Sequence, residues 1–212
     1  PPMKNEDVLV VEISGKRPGS SQQRPTEKFA TRFDHLIISN NSDGYITDWD
    51  IVNVPAEYVE WYKANYKSSD TAWYAPMNRS YAITYAREHG YKYLIQLDDN
   101  IRFLEIATIV KKDGMTKRYV ARHSPTIMDD FIEMLVCVLE NTNAGMAGCG
   151  LAGTSVPSGD FLNERYCYSF FALKLDSCPD VFQGDFEDDI EFRLKLGQMG
   201  VPAVQVACLR YS

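Results

Sequence analysis

The chain has 212 residues, 45% of them hydrophobic and 12% aromatic, which is enough for one large α/β domain with its own core and argues against long disorder. No run of 18 apolar residues occurs, since even the stretch from Phe131 to Leu139 is broken by Glu133, so no membrane-spanning helix is expected. A net charge of −7 excludes a protein that coats nucleic acid with its whole surface.

The start, Pro1-Pro2-Met3-Lys4-Asn5-Glu6-Asp7, has no apolar leader and reads as a tag remnant or disordered start over 1–6, in a single domain spanning 1–212 with a cytoplasmic setting as the default. Asp7 to Ile13 reads as a buried strand that ends in the loop Ser14-Gly15-Lys16-Arg17-Pro18. His35 to Ser39 is a second strand, Asn40 to Gly44 a turn, and Trp49 to Val54 a third strand, after which Pro55 opens a helix to Tyr66. Alternating strands and helices favour a mostly parallel sheet. The spacing of Tyr81, Ala82, Tyr85 and Ala86 predicts a helix from Asn78 to His89, with Gly90 past its end.

Tyr91 to Leu97 then forms a strand that stops at Asp98-Asp99-Asn100, at the strand end where open α/β sheets bind ligands. Divalent cations prefer such oxygen ligands, although Asp and Asn also populate ordinary turns. Ile106 to Arg122 reads as a β-hairpin turning at Lys112-Asp113-Gly114, inserted after this motif. Thr126 to Glu140 is an amphipathic helix, Gly145 to Gly150 a small-residue strand and Tyr166 to Leu175 an aromatic-rich strand. A helix from Phe186 to Met199 and a strand from Val201 to Cys208 complete the chain.

Five cysteines, odd in number and never spaced C-x-x-C, read as reduced core residues. The three histidines lie far apart, which leaves any metal to oxygen ligands. Charge is segregated: residues 102–123 hold six basic and two acidic side chains, whereas Gln183 to Glu191 holds five acidic and no basic ones.

The run Asn78-Arg79-x-x-Ala82-x-x-x-Ala86-x-x-x-Gly90-x-x-Tyr93-Leu94-Ile95-x-Leu97-Asp98-Asp99-Asn100 resembles the segment of GT-A glycosyltransferases that leads into their DxD metal motif. A second run, Gly184-Asp185-Phe186-Glu187-Asp188-Asp189-Ile190-x-Phe192-Arg193-Leu194 with Gly200, is similar to the GxED…RL…G element of inverting members. The resemblance implies a Rossmann-like, mostly parallel central sheet flanked by helices, and transfer of a hexose from a nucleotide-diphosphate sugar, expected to be a UDP-sugar, to an acceptor hydroxyl. It implies Mn²⁺ or Mg²⁺ as cofactor, with Asp98 on the ribose side, Asn100 at the metal position, and Asp99 supporting the site or serving as a main ligand. Asn78, Arg79 and, by position alone, Arg17 would bind the donor.

Asp188, then Asp189, would take the acceptor proton, and Glu187 would bind donor sugar or acceptor; carboxylates at a helix start also suit the macrodipole. Lys111, Lys112, Lys117, Arg118 and Arg122 are candidate contacts for a polyanionic acceptor or a solvated face. The rings of Tyr58, Trp61 and Tyr62, and of Trp73 and Tyr74, would stack on a sugar or base, or pack in the core. The compact chain also resembles the phage TET-associated glycosyltransferases, which implies 5-hydroxymethylpyrimidine in DNA as acceptor and a host-cytoplasmic location. Two departures stand out: Asn100 replaces the usual Asp, and no His follows His123 to serve as a late metal ligand. A nucleotidyltransferase, and a degenerate GT-A domain acting as a binding or scaffold module, are the alternatives.

Overall fold

The structure, a computed structural model, describes residues 3–18, 25–66, 73–112, 115–121, 124–153, 162–163, 167–184 and 188–212, with the side chains of Pro25, 108–112, 115–121 and 162–163 outside the description. In chain order the elements are β1 (Val8–Ile13), β2 (Asp34–Ser39), β3 (Ile51–Asn53), α1 (Ala56–Tyr66), α2 (Tyr74–Glu88), β4 (Tyr93–Asp98), β5 (Leu104–Lys112) and β6 (Met115–Ala121). Then follow α3 (Ile127–Asn141), β7 (Met146–Leu151), β8 (Leu162–Asn163), β9 (Phe170–Lys174), α4 (Asp188–Gln198) and β10 (Ala203–Tyr211).

Among the described residues the strands join one sheet in the order β3-β2-β1-β4-β9-β7-β10-β5-β6, with β8 paired to β10. The α/β class, the flanking helices and the hairpin after Asn100 match the expectation. The sheet itself is mixed: β3, β2, β1 and β4 run parallel, β9 is reversed between β4 and β7, and β10 is parallel to β7 but antiparallel to β5. In the hairpin Lys112 faces Met115, so the expected turn at 113–114 falls outside the described residues.

Central strands are apolar because both faces are covered. Along β1, Val8 and Val10 face the core cluster under α3, while Leu9, Val11 and Ile13 face the cluster under α2 and α4. Helix α3 buries Ile127, Phe131, Ile132, Leu135, Val136 and Leu139, the i, i+4, i+5, i+8 pattern of one helical face. At about 1.5–3 kcal/mol for each large apolar side chain removed from water, this face alone is a major contribution to holding the layer.

Helix α2 begins at Tyr74, four residues before its expected start, because Pro76 sits in the first turn where no intrahelical N–H is needed. All five cysteines are free; Cys149, Cys167 and Cys178 are buried as expected, whereas Cys137 is exposed. Among the described residues no helix is long and apolar enough to cross a membrane.

Candidate active site

From β1 the chain builds β2 and β3 on one side and returns to β4 on the other, so a crevice opens at the carboxyl ends of β1 and β4. Such a topological switch point is where α/β sheets bind ligands. A cleft of about 210 Å³ lies there, lined by the loop after β1 (Ser14, Gly15, Arg17), the start of α2 (Tyr74, Asn78, Arg79) and Asp98, Asp99 and Asn100.

One wall is a polar network centred on Asp99, which is buried. Ser14 Oγ donates to Asp99 Oδ2 at 2.6 Å and Arg17 Nη1 donates to Asp99 Oδ1 at 2.5 Å. Tyr45 joins them, its hydroxyl 2.7 Å from Ser14 Oγ and accepting from Arg17 N at 3.1 Å. Burial pushes the Asp99 carboxyl above the ordinary carboxylate value, while the Ser14 hydrogen bond and the Arg17 charge oppose that rise.

Asn78 Nδ2 donates to Ser14 O and to Asn40 Oδ1, each at 3.2 Å, which ties α2 to the β1 loop. Its Oδ1 is buried without a hydrogen-bond partner among the described residues. A Cβ at Gly15 would lie 2.7 Å from Asn40 Oδ1, so a side chain there would have to displace the end of Asn40. Lys16 Nζ donates to Tyr74 OH at 3.2 Å and lies 4.4 Å from the centroid of that ring.

The opposite wall is built around Arg79, whose side chain is only 9% exposed. Its Nη2 donates to Asp98 Oδ1 at 2.8 Å, and its Nη1 lies 3.7 Å from Asp188 Oδ2. The guanidinium also sits 5.6 Å from the Phe171 ring and 5.9 Å from the Phe182 ring. Burial works against its charge, yet Asp98, Asp188 and Asp189 outweigh that and raise its pKa. Gln96 of β4 fixes the helix turn beneath, its Nε2 donating to Arg79 O at 3.0 Å.

Asp188 reaches Arg79 because the segment before α4 is pinned to α1 and α2. Tyr62 OH donates to Phe182 O at 2.7 Å, and Phe182 N donates to Ser80 Oγ at 2.9 Å. The Phe182 ring stacks on Phe192 of α4, with centroids 3.9 Å apart and planes 7° from parallel. Gly184 then turns with φ +110°, a backbone region that favours glycine.

Burial pushes the Asp188 carboxyl up; Arg79 draws it down and Asp98 pushes it up again. Asp189 is raised by burial and by Asp188. Asp188 Oδ2 is buried and has no hydrogen-bond donor among the described residues.

No protein-family model matches the chain, and no curated protein matches it. Among solved structures the chain is similar to A197 from STIV, at 10% identity and a TM-score of 0.46 over 96% of this chain and 83% of that one. It is also similar to the mannosyltransferase PcManGT from Pyrobaculum calidifontis, solved in complex with GDP-Man and Mn²⁺, at 13% identity and a TM-score of 0.49 over 95% of this chain. The chain spans 56% of that mannosyltransferase chain.

Of the expected site residues, Arg17, Asn78, Arg79, Asp98, Asp99 and Asn100 meet in one cleft, and Arg79 links Asp98 to Asp188 with Asp189 beside it. Asp99, expected among the metal ligands, accepts hydrogen bonds from Ser14 and Arg17 on its two oxygens, which ties it to the loop after β1. Glu187 and Arg122 lie outside the described residues, as do the side chains of Lys111, Lys112, Lys117 and Arg118, whose backbones form β5 and β6. Of the aromatic candidates, Tyr62 and Trp73 are buried and Tyr74 lines the cleft. Ser14, Asn40 and Tyr45 were not singled out from the sequence; Ser14, first after a buried strand, carried the same strand-end signal as Asp98.

A divalent cation that arrives with a diphosphate needs one or two protein oxygens and takes the rest from phosphate and water. Asp98 has a second oxygen with no partner among the described residues, and Asn100 is exposed beside it, so these two fit such an ion. Among the described residues no cluster of three His, Cys, Asp or Glu side chains forms a fuller cage.

Proposed function

We propose that this chain is a metal-dependent glycosyltransferase that moves a hexose from a nucleotide-diphosphate sugar to an acceptor hydroxyl with inversion. The observation that carries this reading is Arg79 held between Asp98 and Asp188, which joins a strand-end motif to a helix-start carboxylate from a distant part of the chain. The nucleotide lies in the cleft against Ser14, Gly15, Arg17 and Asn78, where Gly15 permits close backbone approach and the Asn78 amide oxygen is left for a donor group. Asp98 and Asn100 would hold Mn²⁺ or Mg²⁺, which would supply neutralisation of the charge on the diphosphate.

Asp188 accepts the acceptor's hydroxyl proton while the acceptor oxygen bonds to the anomeric carbon. The bond from that carbon to the diphosphate oxygen breaks, and the nucleoside diphosphate leaves. Arg79 stabilises the departing charge and orients Asp188. Burial raises the proton affinity of the Asp188 carboxylate, which makes it a stronger base than an exposed carboxylate. Asp189 keeps the first turn of α4 in place through its bond to Ile190 N at 2.9 Å. A UDP-sugar donor and a 5-hydroxymethylpyrimidine in DNA as acceptor belong to the same proposal.

The test is a thermal-shift screen of nucleotide-sugars with Mn²⁺. Ligand at about 100 times its Kd adds about 2.7 kcal/mol, which corresponds to about 5–10 °C for a domain of this size. Asp98→Ala should abolish the shift; a wild-type protein indifferent to every nucleotide-sugar would sink the proposal. Mass spectrometry of nucleosides after incubation with hydroxymethylated DNA tests the acceptor.

A further inference from the structure

A second groove, of about 310 Å³, lies behind the Asp98–Asn100 turn, between Lys28 and Phe29, the segment from Arg102 to Leu104, and Ser124 and Ile127 at the start of α3. It is not part of the first cleft. Phe29, Leu104 and Ile127 pack in the core cluster under α3, whereas α2 and α4, which carry Arg79 and Asp188, pack in the cluster on the other face of the sheet.

Lys28 and Arg102 are both exposed, and neither is paired with a carboxylate among the described residues. Two such cations give the groove a local positive potential although the net charge of the chain is −7. Rings accompany the charges: Lys28 Nζ lies 5.7 Å from the Phe29 ring centroid, and Phe103 keeps 37% of its surface exposed. The groove also flanks the root of the β5–β6 hairpin, within residues 102–123, where basic residues outnumber acidic ones six to two. Phe103 is three residues from Asn100, a span of at most about 10 Å along the chain.

We infer that this groove holds a nucleotide unit of a single-stranded nucleic acid, its phosphodiester between Lys28 and Arg102 and its base against Phe103. The inference rests on the glycosyl-transfer reading only in making that strand the acceptor; binding itself is a separate property. Lys and Arg gather phosphates by charge and counter-ion release, and a phenyl ring accepts the flat face of any base, so the site tolerates different sequences. Lying on the far face of the sheet, it grips the strand beside the reacting unit rather than at it.

The test is a fluorescence-polarisation titration of the whole protein with a short single-stranded oligonucleotide and with an abasic strand of the same length, over a series of salt concentrations. The double variant Lys28→Ala, Arg102→Ala should weaken binding about tenfold and lower the slope of log affinity against log salt by about 1.4, at about 0.7 for each phosphate charge no longer neutralised. Phe103→Ala should weaken the base-bearing strand about tenfold and leave the abasic strand unchanged. Each variant should keep the nucleotide-sugar thermal shift, so loss of the groove and failure of the donor site are read separately. No binding by the wild type, unchanged binding by the double variant, or equal affinity for both strands would overturn the inference.

Discussion

Replacing Arg79 by Ala removes the cation between two partly buried acids, and the structure sets the scale of the loss. At an effective dielectric of about 20, the 2.8 Å contact to Asp98 and the 3.7 Å contact to Asp188 are worth about 6 and about 4.5 kcal/mol of gross Coulomb attraction. Desolvation of all three groups offsets most of this. Removing one partner of a buried ion pair usually costs about 3–5 kcal/mol. The lower end applies here because Asp98 and Asp188 keep 28% and 16% exposure and can draw on water.

A loss of about 3 kcal/mol lowers the melting temperature by about 6–12 °C in a chain of this length. Arg79→Lys keeps the charge but cannot reach both acids with a planar fork, so it should recover only part of the loss. Calorimetry of Arg79→Ala, Asp188→Asn and the double variant isolates the pairwise coupling, expected within about 0.5–3 kcal/mol. A melting temperature within 2 °C of wild type for Arg79→Ala, on the order of the smallest shift a 1 kcal/mol change gives, would refute the clasp. Zero coupling with Asp188 would refute it equally.

Three further outcomes follow from the same geometry. Gly184→Ala places a side chain at φ +110° and should cost about 1–3 kcal/mol, with α4 misplaced, so activity measured below the melting transition falls more than stability does. Ser14→Ala takes a donor from the buried Asp99 and should cost about 1–3 kcal/mol in chemical denaturation; an unchanged midpoint would mean that Arg17 alone satisfies the carboxylate. Asp188 has a raised folded pKa, so its stabilising contribution is complete below the unfolded value near 3.8 and is lost as pH rises through the folded value. Wild type should therefore lose stability relative to Asp188→Asn as pH climbs from that point, and a pH-independent difference would contradict the raised value.

Much of the fold could be read from the chain because its signals are local. The apolar run of β4 ending in Asp98-Asp99-Asn100, the periodic face of α3 and the alternation around 113–114 each follow from short-range patterning. The reversed direction of β9 could not be read, since an apolar strand buried on both faces looks the same in either direction. The two-residue β8 is too short to carry a period. In the site, the placement of Asp98-Asp99-Asn100 at the end of β4 was legible, whereas the hydrogen bonds of Asp99 were not. Its partners Ser14 and Arg17 lie on a loop brought close only by the parallel pairing of β1 and β4. The path from Tyr62 and Ser80 through Phe182 to α4 is likewise a set of long-range contacts with no local sequence signature.

The most direct measurement is release of nucleoside diphosphate from a nucleotide-sugar that shifts the melting temperature with Mn²⁺, compared between wild type and Asp188→Asn. Glycosyl transfer through this cleft requires turnover by the wild type, and a variant that still binds donor but turns over about 10²–10⁴-fold more slowly, the usual contribution of a positioned base. Equal turnover by Asp188→Asn, or donor binding with no turnover by the wild type in the presence of any acceptor offered, would contradict it.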